Sequence, residues 1–279
     1  MAILSKHLVL GPALKISPWR KVAIGTWCTA KDPSVYAMVE LNVGPAEAYI
    51  EKAAASSGKR ITMTHFVGKA VAETVRRNPE INCVLRWGRL YPRQDISLFF
   101  QVATDEKGED LTGVTIHKAH EKSIVDMASQ MGRQLPVIRK HKDDTYKKMK
   151  SMFSLIPGWL SRWVLDITGF ILYTLNIWSP LFGAPKNSLG SVMITNIGSL
   201  GLEMAFAPLV PYSRVPMVIA VGATQERPVV ENNQVRVARM LKLCVTFDHR
   251  VIDGVHGSKL AKTIQTIFAN PEVELEKAS

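Results

Sequence analysis

A histidine standing where a strand stops is the residue of this chain best placed to do chemistry. Residues 243–257 read LCVTFDHRVIDGVHG. Leu243, Val245 and Phe247 alternate with Cys244, Thr246 and Asp248, the period of two of a strand. The alternation stops at His249. Asp253 then precedes Gly254, and Leu260, Ile264, Ile267 and Phe268 recur at helical spacing. Asp253 therefore reads as a helix N-cap, and Asn270-Pro271 as the stop. His249 falls in the short turn between strand and helix, where a scaffold edge presents side chains to ligands. An imidazole titrating near neutrality takes a proton from a thiol or hydroxyl and returns it later. Asp253, four residues on, either shapes that turn or pairs with a cation, and the glycine after it admits close approach. An isolated histidine at a strand end is as readily a structural one.

Neighbouring stretches weigh against that plainer reading. DHRVIDG at 248–254 resembles the signature of the acyltransferase catalytic domain of 2-oxo acid dehydrogenase complexes. Its H-x-x-x-D-G core is shared with chloramphenicol acetyltransferase. SPWRKVAIG at 17–25, MITNIGSLG at 193–201 and PMVIAVGATQERPVV at 216–230 resemble further segments of the same family, in the same order. HFVGKAVAETVRRNPEINCVL resembles its helix and following strand. The likeness runs over 18–271.

The resemblance implies an α/β fold, an α+β two-layer sandwich with a chloramphenicol acetyltransferase-like mixed sheet flanked by helices. It implies that His249 is the general base that deprotonates the thiol of coenzyme A or dihydrolipoamide. Thr195 matches the hydroxyl that hydrogen-bonds the tetrahedral oxyanion. Asp253 matches a mainly architectural carboxylate, with Arg20 as its candidate partner. Family active sites lie between subunits of a trimer, so His249 and Thr195 would come from different chains. Lipoyl and subunit-binding domains precede the catalytic domain in the family's full-length chains. None precedes it here, so coenzyme A, a carrier or a lipoyl domain is expected in trans, with no lipoyl group on this chain.

The wider sequence is compatible with such an enzyme. The chain has 279 residues, 47% of them hydrophobic, enough for one large core. We divide it into an arm at 1–18 and a catalytic domain at 19–279 that includes a hydrophobic insertion at 151–185. Residues 1–24 lack the apolar core and cleavage site of a signal peptide. Cys28, Cys83 and Cys244 are too few and too scattered for a disulfide framework or a zinc site, and packing explains them. A reducing cytoplasm, at most peripheral to the inner face of a membrane, is the expected location. His117 and His120 lack a third ligand at metal spacing and read as structural, so no metal is expected. The net charge of +11 suits a phosphate-bearing cofactor or an anionic lipid surface, or merely solubility. No nucleic-acid motif accompanies it.

Periodicity supplies the supporting elements. We expect a strand at 35–43, a helix opened by Gly44-Pro45, and a second helix at 66–77 capped by Thr64. A hairpin follows around Gly88, then a strand at 96–103 and a helix capped by Ser123 with Pro136 inside it. Met127 and Met131 read as core filler of that helix. Strands at 190–197 (bearing Thr195), 218–221, 229–230 and 235–247 complete the list. At 104–113 the chain departs from the family's GL-x-VPV run, which would change the wall of the path to the site.

The largest departure is MFSLIPGWLSRWVLDITGFILYTLNIWSPLF at 152–182, which follows the basic run RKHKDDTYKKMK at 139–150. Trp159, Trp163 and Trp178, three of the chain's six tryptophans, lie there. We expect roughly a helical hairpin, and three roles compete. It could be a transmembrane span, which needs about twenty apolar residues. It could be an interfacial element bringing 139–182 onto anionic lipid. It could be a soluble cover for an acyl pocket or subunit contact. The leading function is CoA-dependent acyl transfer between a thioester and a thiol or other acceptor. The alternative is a catalytically inactive trimeric scaffold or membrane-recruited assembly module.

Overall fold

The computed structural model describes residues 5–15, 32–103, 111–139, 157–180 and 185–276. Its centre is a mixed seven-stranded sheet. The strands are β2 (Ser34–Asn42), β5 (Leu98–Ala103), β6 (Leu111–Ile116), β8 (Val192–Asn196), β9 (Met217–Val221), β10 (Gln225–Glu231) and β11 (Gln234–Asp248). They run in the order β10-β11-β9-β8-β5-β6, with β2 along β11. The pairs β5–β8 and β8–β9 are parallel, and the others are antiparallel. Outside the sheet, β3 (Cys83–Arg86) and β4 (Arg89–Pro92) form the expected hairpin, turning on Trp87 and Gly88, both at positive φ.

Alternation decides which face is covered. Leu241, Leu243 and Phe247 of β11, with Met217, Ile219 and Val221 of β9, enter one large core. Their partners there come from α1 (Gly44–Ser57), α2 (Met63–Arg77), α3 (Ile124–Arg139), α5 (Gly254–Ala269) and α6 (Pro271–Glu276). Phe66 of α2 meets Phe268 of α5 edge to face, with ring centroids 5.0 Å apart. The helices thus form a layer on one side of the sheet. On the other side Met193, Val215 and Val218 form a separate small cluster, while Tyr36 and Met38 are exposed.

Helix α2 begins earlier than its sequence suggests. Thr62, not Thr64, is the N-cap; its N–H donates to Nδ1 of His65 at 3.0 Å, so histidine takes the reciprocal role of a capping box. Thr64 is thereby released, and its hydroxyl accepts from Asn196 Nδ2 at 2.7 Å. Ser123 caps α3 as expected, with the Asp126 N–H donating to its hydroxyl at 3.1 Å. Met127 and Met131 are buried in the core.

The insertion takes a different form from the expected hairpin of helices. In its described part, α4 (Gly158–Gly169) continues into a wide helical turn at Phe170–Thr174 and then into strand β7 (Ile177–Trp178). Strand β1 (Ser5–Lys6) pairs with β7 antiparallel. Asn176, at a left-handed φ of 58°, ends the helical run and turns its side chain onto the arm. Its Oδ1 accepts the Leu8 N–H at 2.5 Å, and its Nδ2 donates to the Leu8 carbonyl at 2.9 Å. A two-way amide bond of this kind has only one register. Leu172 and Tyr173 bury against Leu8 and Val84. Trp163, Ile167 and Phe170 face outward, with Trp87 edge-on to Phe170. That apolar stripe is what either a lipid-facing or a subunit-facing role requires. Among the described residues, no helix is long and apolar enough to cross a membrane.

Candidate active site

The turn carrying His249 is organised by the residue before it. The Asp248 carbonyl accepts the N–H groups of Val251 at 2.9 Å and Ile252 at 2.8 Å. Its carboxylate accepts the Arg250 N–H at 2.9 Å and grips the Arg250 guanidinium, Nε at 2.9 Å and Nη2 at 2.7 Å. Val251 and Ile252 bury in the main core. One side of the turn is thus tied by charge and the other by apolar burial. His249 is held between them, its own N–H on the Pro33 carbonyl at 2.9 Å.

This geometry selects a tautomer. His249 Nδ1 lies 3.2 Å from the Ile252 carbonyl oxygen. A carbonyl only accepts, so Nδ1 carries the hydrogen and the basic lone pair falls on Nε2. The turn therefore presents the Nε2 edge of an imidazole that is half-buried at the end of β11.

Asp253 is the N-cap of α5, as its spacing implies, and accepts the His256 N–H at 3.1 Å. The His256 ring binds back in two ways that compete for one nitrogen. Nδ1 lies 2.7 Å from Asp253 Oδ1 and 3.4 Å from the Asp253 N–H. The shorter contact governs, which places a hydrogen on Nδ1 pointing at the carboxylate. Asp253 is thus architectural. We predict that Asp253→Ala costs about 1 kcal/mol of stability while Asp253→Asn costs only a few tenths; urea unfolding midpoints of the two variants measure the difference. Arg20, the partner expected for Asp253, lies outside the described residues.

Thr195 sits at the other end of the sheet. It is level with Ala220 on β9, which is level with Cys244 on β11. His249 is five positions beyond Cys244. At ~3.3 Å per residue, and with two strand spacings of ~4.8 Å across, the two side chains are on the order of 15–20 Å apart within one protomer. Thr195 alternates with Val192, Ile194 and Asn196, which face the helices, so it lies on the open face. Beyond it the chain turns tightly at Gly198, where a Cβ would stand 2.5 Å from the Gly222 carbonyl oxygen. One chain brings His249 and Asp253 together and leaves Thr195 apart.

Sequence reasoning passed over Asp248 and Arg250. The signal was present: an aspartate two residues before an arginine at a strand end is an Asx-type turn former. It also missed Arg214, which sits between the motif and the insertion. Burial and Arg250 push this guanidinium down, and Asp248 and Asp166 of α4 offset them. Gly169 of α4 packs against Tyr212, so the insertion flanks the motif. Cys83 and Cys244 are buried, and burial raises the Cys83 thiol to about 11, which removes it as a nucleophile. Cys28 and residues 104–110 lie outside the described residues. Among those described, no group of three or more His, Cys, Asp or Glu could hold a metal ion.

Comparison with known proteins agrees with this architecture. The family model described as 2-oxoacid dehydrogenases acyltransferase (catalytic domain) matches residues 13–154 and 186–275. The chain is 24% identical over 269 residues to the dihydrolipoyllysine-residue acetyltransferase component of the pyruvate dehydrogenase complex of Acholeplasma laidlawii, covering 94% of this chain and 41% of that protein. It is 22% identical over 214 residues to the corresponding component of the acetoin cleaving system of Bacillus subtilis (strain 168), covering 77% and 43%. The chain thus spans about two fifths of the length of these curated relatives. A solved dihydrolipoamide acetyltransferase of Azotobacter vinelandii superposes with a TM-score of 0.66 at 18% identity, covering 95% of each chain. That work addresses a serine, a histidine and an asparagine in the catalytic mechanism. The cubic core of a pyruvate dehydrogenase multienzyme complex superposes with a TM-score of 0.66 at 19% identity over 95% of each chain. These likenesses fix the fold as that of acyltransferase cores. The matched residues omit 155–185, the heart of the insertion.

Proposed function

Because the chain belongs to the acyltransferase catalytic-domain family of the 2-oxoacid dehydrogenases, we propose that it moves an acyl group between a thioester and a thiol, with coenzyme A as one sulfur partner. Nε2 of His249 takes the proton of the attacking thiol. The sulfur adds to the thioester carbonyl, and the Thr195 hydroxyl donates to the oxygen that becomes negative. Collapse breaks the older C–S bond, and the imidazolium returns its proton to the departing sulfur. The observation that carries this reading is the His249 tautomer set by the Ile252 carbonyl.

The two groups meet only across a protomer contact, so the reading requires an oligomer, and a trimer is the form we propose. Two features support it. Tyr36, Met38, Met204 and Phe206 are exposed on the side of the sheet the helices leave open. The β10–β11 ribbon exposes Val230, Val235 and Val237, each by more than 70%. Apolar surface of this kind marks association. The serine, histidine and asparagine studied in the Azotobacter vinelandii protein find chemical counterparts here in Thr195, His249 and Asp253. The acyl carrier in this reading is a dihydrolipoyl group.

The test is transfer from acyl-dihydrolipoamide to coenzyme A, followed by chromatographic separation of the acyl-coenzyme A formed, with native mass spectrometry for stoichiometry. We expect turnover with at least one donor of a short-chain and branched-chain panel, and a trimer or multiple of it. An assembly silent with every donor would instead favour a scaffold that keeps the fold without the chemistry.

A further inference from the structure

Two segments outside the family match, 1–12 and 155–185, meet each other through β1 and β7. His7, Leu8 and Val9 of the arm line one side of a cavity of about 320 Å³ over Arg93, at the end of β4, and Lys186 and Asn187, just after the insertion, line it too. Arg93 is 7% exposed. Its Nη1 donates to Asn187 Oδ1 at 3.1 Å, but Nε and Nη2 have no hydrogen-bond partner among the described residues. Those two nitrogens form the side-on edge of the guanidinium, the edge that grips an oxyanion with two parallel bonds. His7, 2% exposed, lines the same cavity with both ring nitrogens unpartnered among the described residues. Burial, then Arg93 and Lys186, lower its pKa to about 4, so the ring is neutral near pH 7 and offers one N–H.

A buried guanidinium with two unpartnered nitrogens is costly unless something negative reaches them. The remaining charges indicate what. Lys186 lines the cavity and acts on His7. Lys118 is shared with Glu121 at 3.5 Å, and Asp95, the one carboxylate among the described lining residues, acts on His117. Among the described lining residues, Arg93 and Lys186 are then the cations left to face a ligand. A dianion with several acceptor oxygens matches them better than a monoanionic carboxylate.

We propose that this cavity binds a phosphate monoester dianion, gripped by the Nε/Nη2 edge of Arg93 and flanked by Lys186 and His7. The site stands apart from the acyl-transfer reading. The arm supplies His7, Leu8 and Val9 to its lining, none of which the family match covers, and its test does not require turnover.

The test measures the melting temperature of the full chain in phosphate-free buffer against added inorganic phosphate, with chloride at equal ionic strength as control. We expect phosphate to raise it by several degrees and chloride not to. Arg93→Met removes the open fork. It should melt no lower than wild type without phosphate and show no phosphate shift. Lys186→Ala, at the cavity rim, should weaken phosphate binding at least fivefold and keeps the test decisive if Arg93→Met does not fold. A shift matched by chloride, produced by acetate but not phosphate, or unchanged in both variants overturns the proposal. Competition identifies the natural ester. Displacement by coenzyme A but not by dephospho-coenzyme A assigns the site to the 3′-phosphate of that cofactor. Displacement by neither assigns it to a separate small phosphate ester.

Discussion

Replacing His249 with alanine is expected to lower acyl-transfer turnover by about 10²–10⁴-fold, the range a positioned general base supplies. Structure should survive, because the bond from Nδ1 to the Ile252 carbonyl is worth roughly 1 kcal/mol. The turn is held independently by Asp248 and by buried Val251 and Ile252. Thr195→Ala should lower kcat by about 10²–10³-fold, as the loss of one oxyanion donor does. Mixing the two inactive chains then separates a shared site from a self-contained one. After unfolding and co-refolding in equal amounts, half the histidines and half the threonines are intact. About one contact in four then carries both in a closed cyclic assembly. Rescue to about a quarter of wild-type turnover is the expected result. No rescue, with mixed oligomers verified by mass, would place both groups in one chain or neither in the reaction.

The second large effect concerns stability. Phe268→Ala should cost about 3–5 kcal/mol, the usual range for emptying a buried aromatic site. Phe268 is 1% exposed and meets Phe66 edge to face, and Phe66 meets Tyr49 in turn. This contact locks α5 onto α2, and Asp253, the N-cap of α5, lies immediately beyond the turn that carries His249. Against a typical total of 5–15 kcal/mol, such a loss reaches about a fifth or more of the whole. Urea unfolding should show the midpoint falling with an unchanged slope. Val255→Ala, exposed on the same helix, should move it by less than ~0.5 kcal/mol. Comparable losses in both variants would mean that the burial pattern of the helix had been misread.

The two regions differ in how much was legible beforehand. Leu243 to Phe247 alternate and Leu260 to Phe268 recur at helical spacing, so β11, α5 and the Asp253 cap follow from local pattern. The Thr62 cap was obscured because histidine stands where a capping box usually has Glu or Gln. Only its Nδ1 lone pair, seen in the structure, reveals the role. In the described part of the insertion the helical run stops at Thr174 although the apolar sequence continues past it. Nothing local announces that Asn176 turns left-handed to clamp Leu8, 168 residues away.

Short-range periodicity therefore determined, without any coordinates, the strand, the turn and the helix that carry His249 and Asp253, and the resemblance of the DHRVIDG stretch and its companions pointed to the family. Tertiary structure alone decided that Thr195 faces away from the helices at the far end of the sheet. It alone decided that Nδ1 of His249 carries the hydrogen, and that Arg93 lies buried beneath the arm and the insertion. The reason is physical. Alternation and capping act over a few residues, so composition encodes them locally. Strand register, ring tautomer and the burial of a charge depend on which distant backbone atoms are brought near, and one-dimensional order does not carry that.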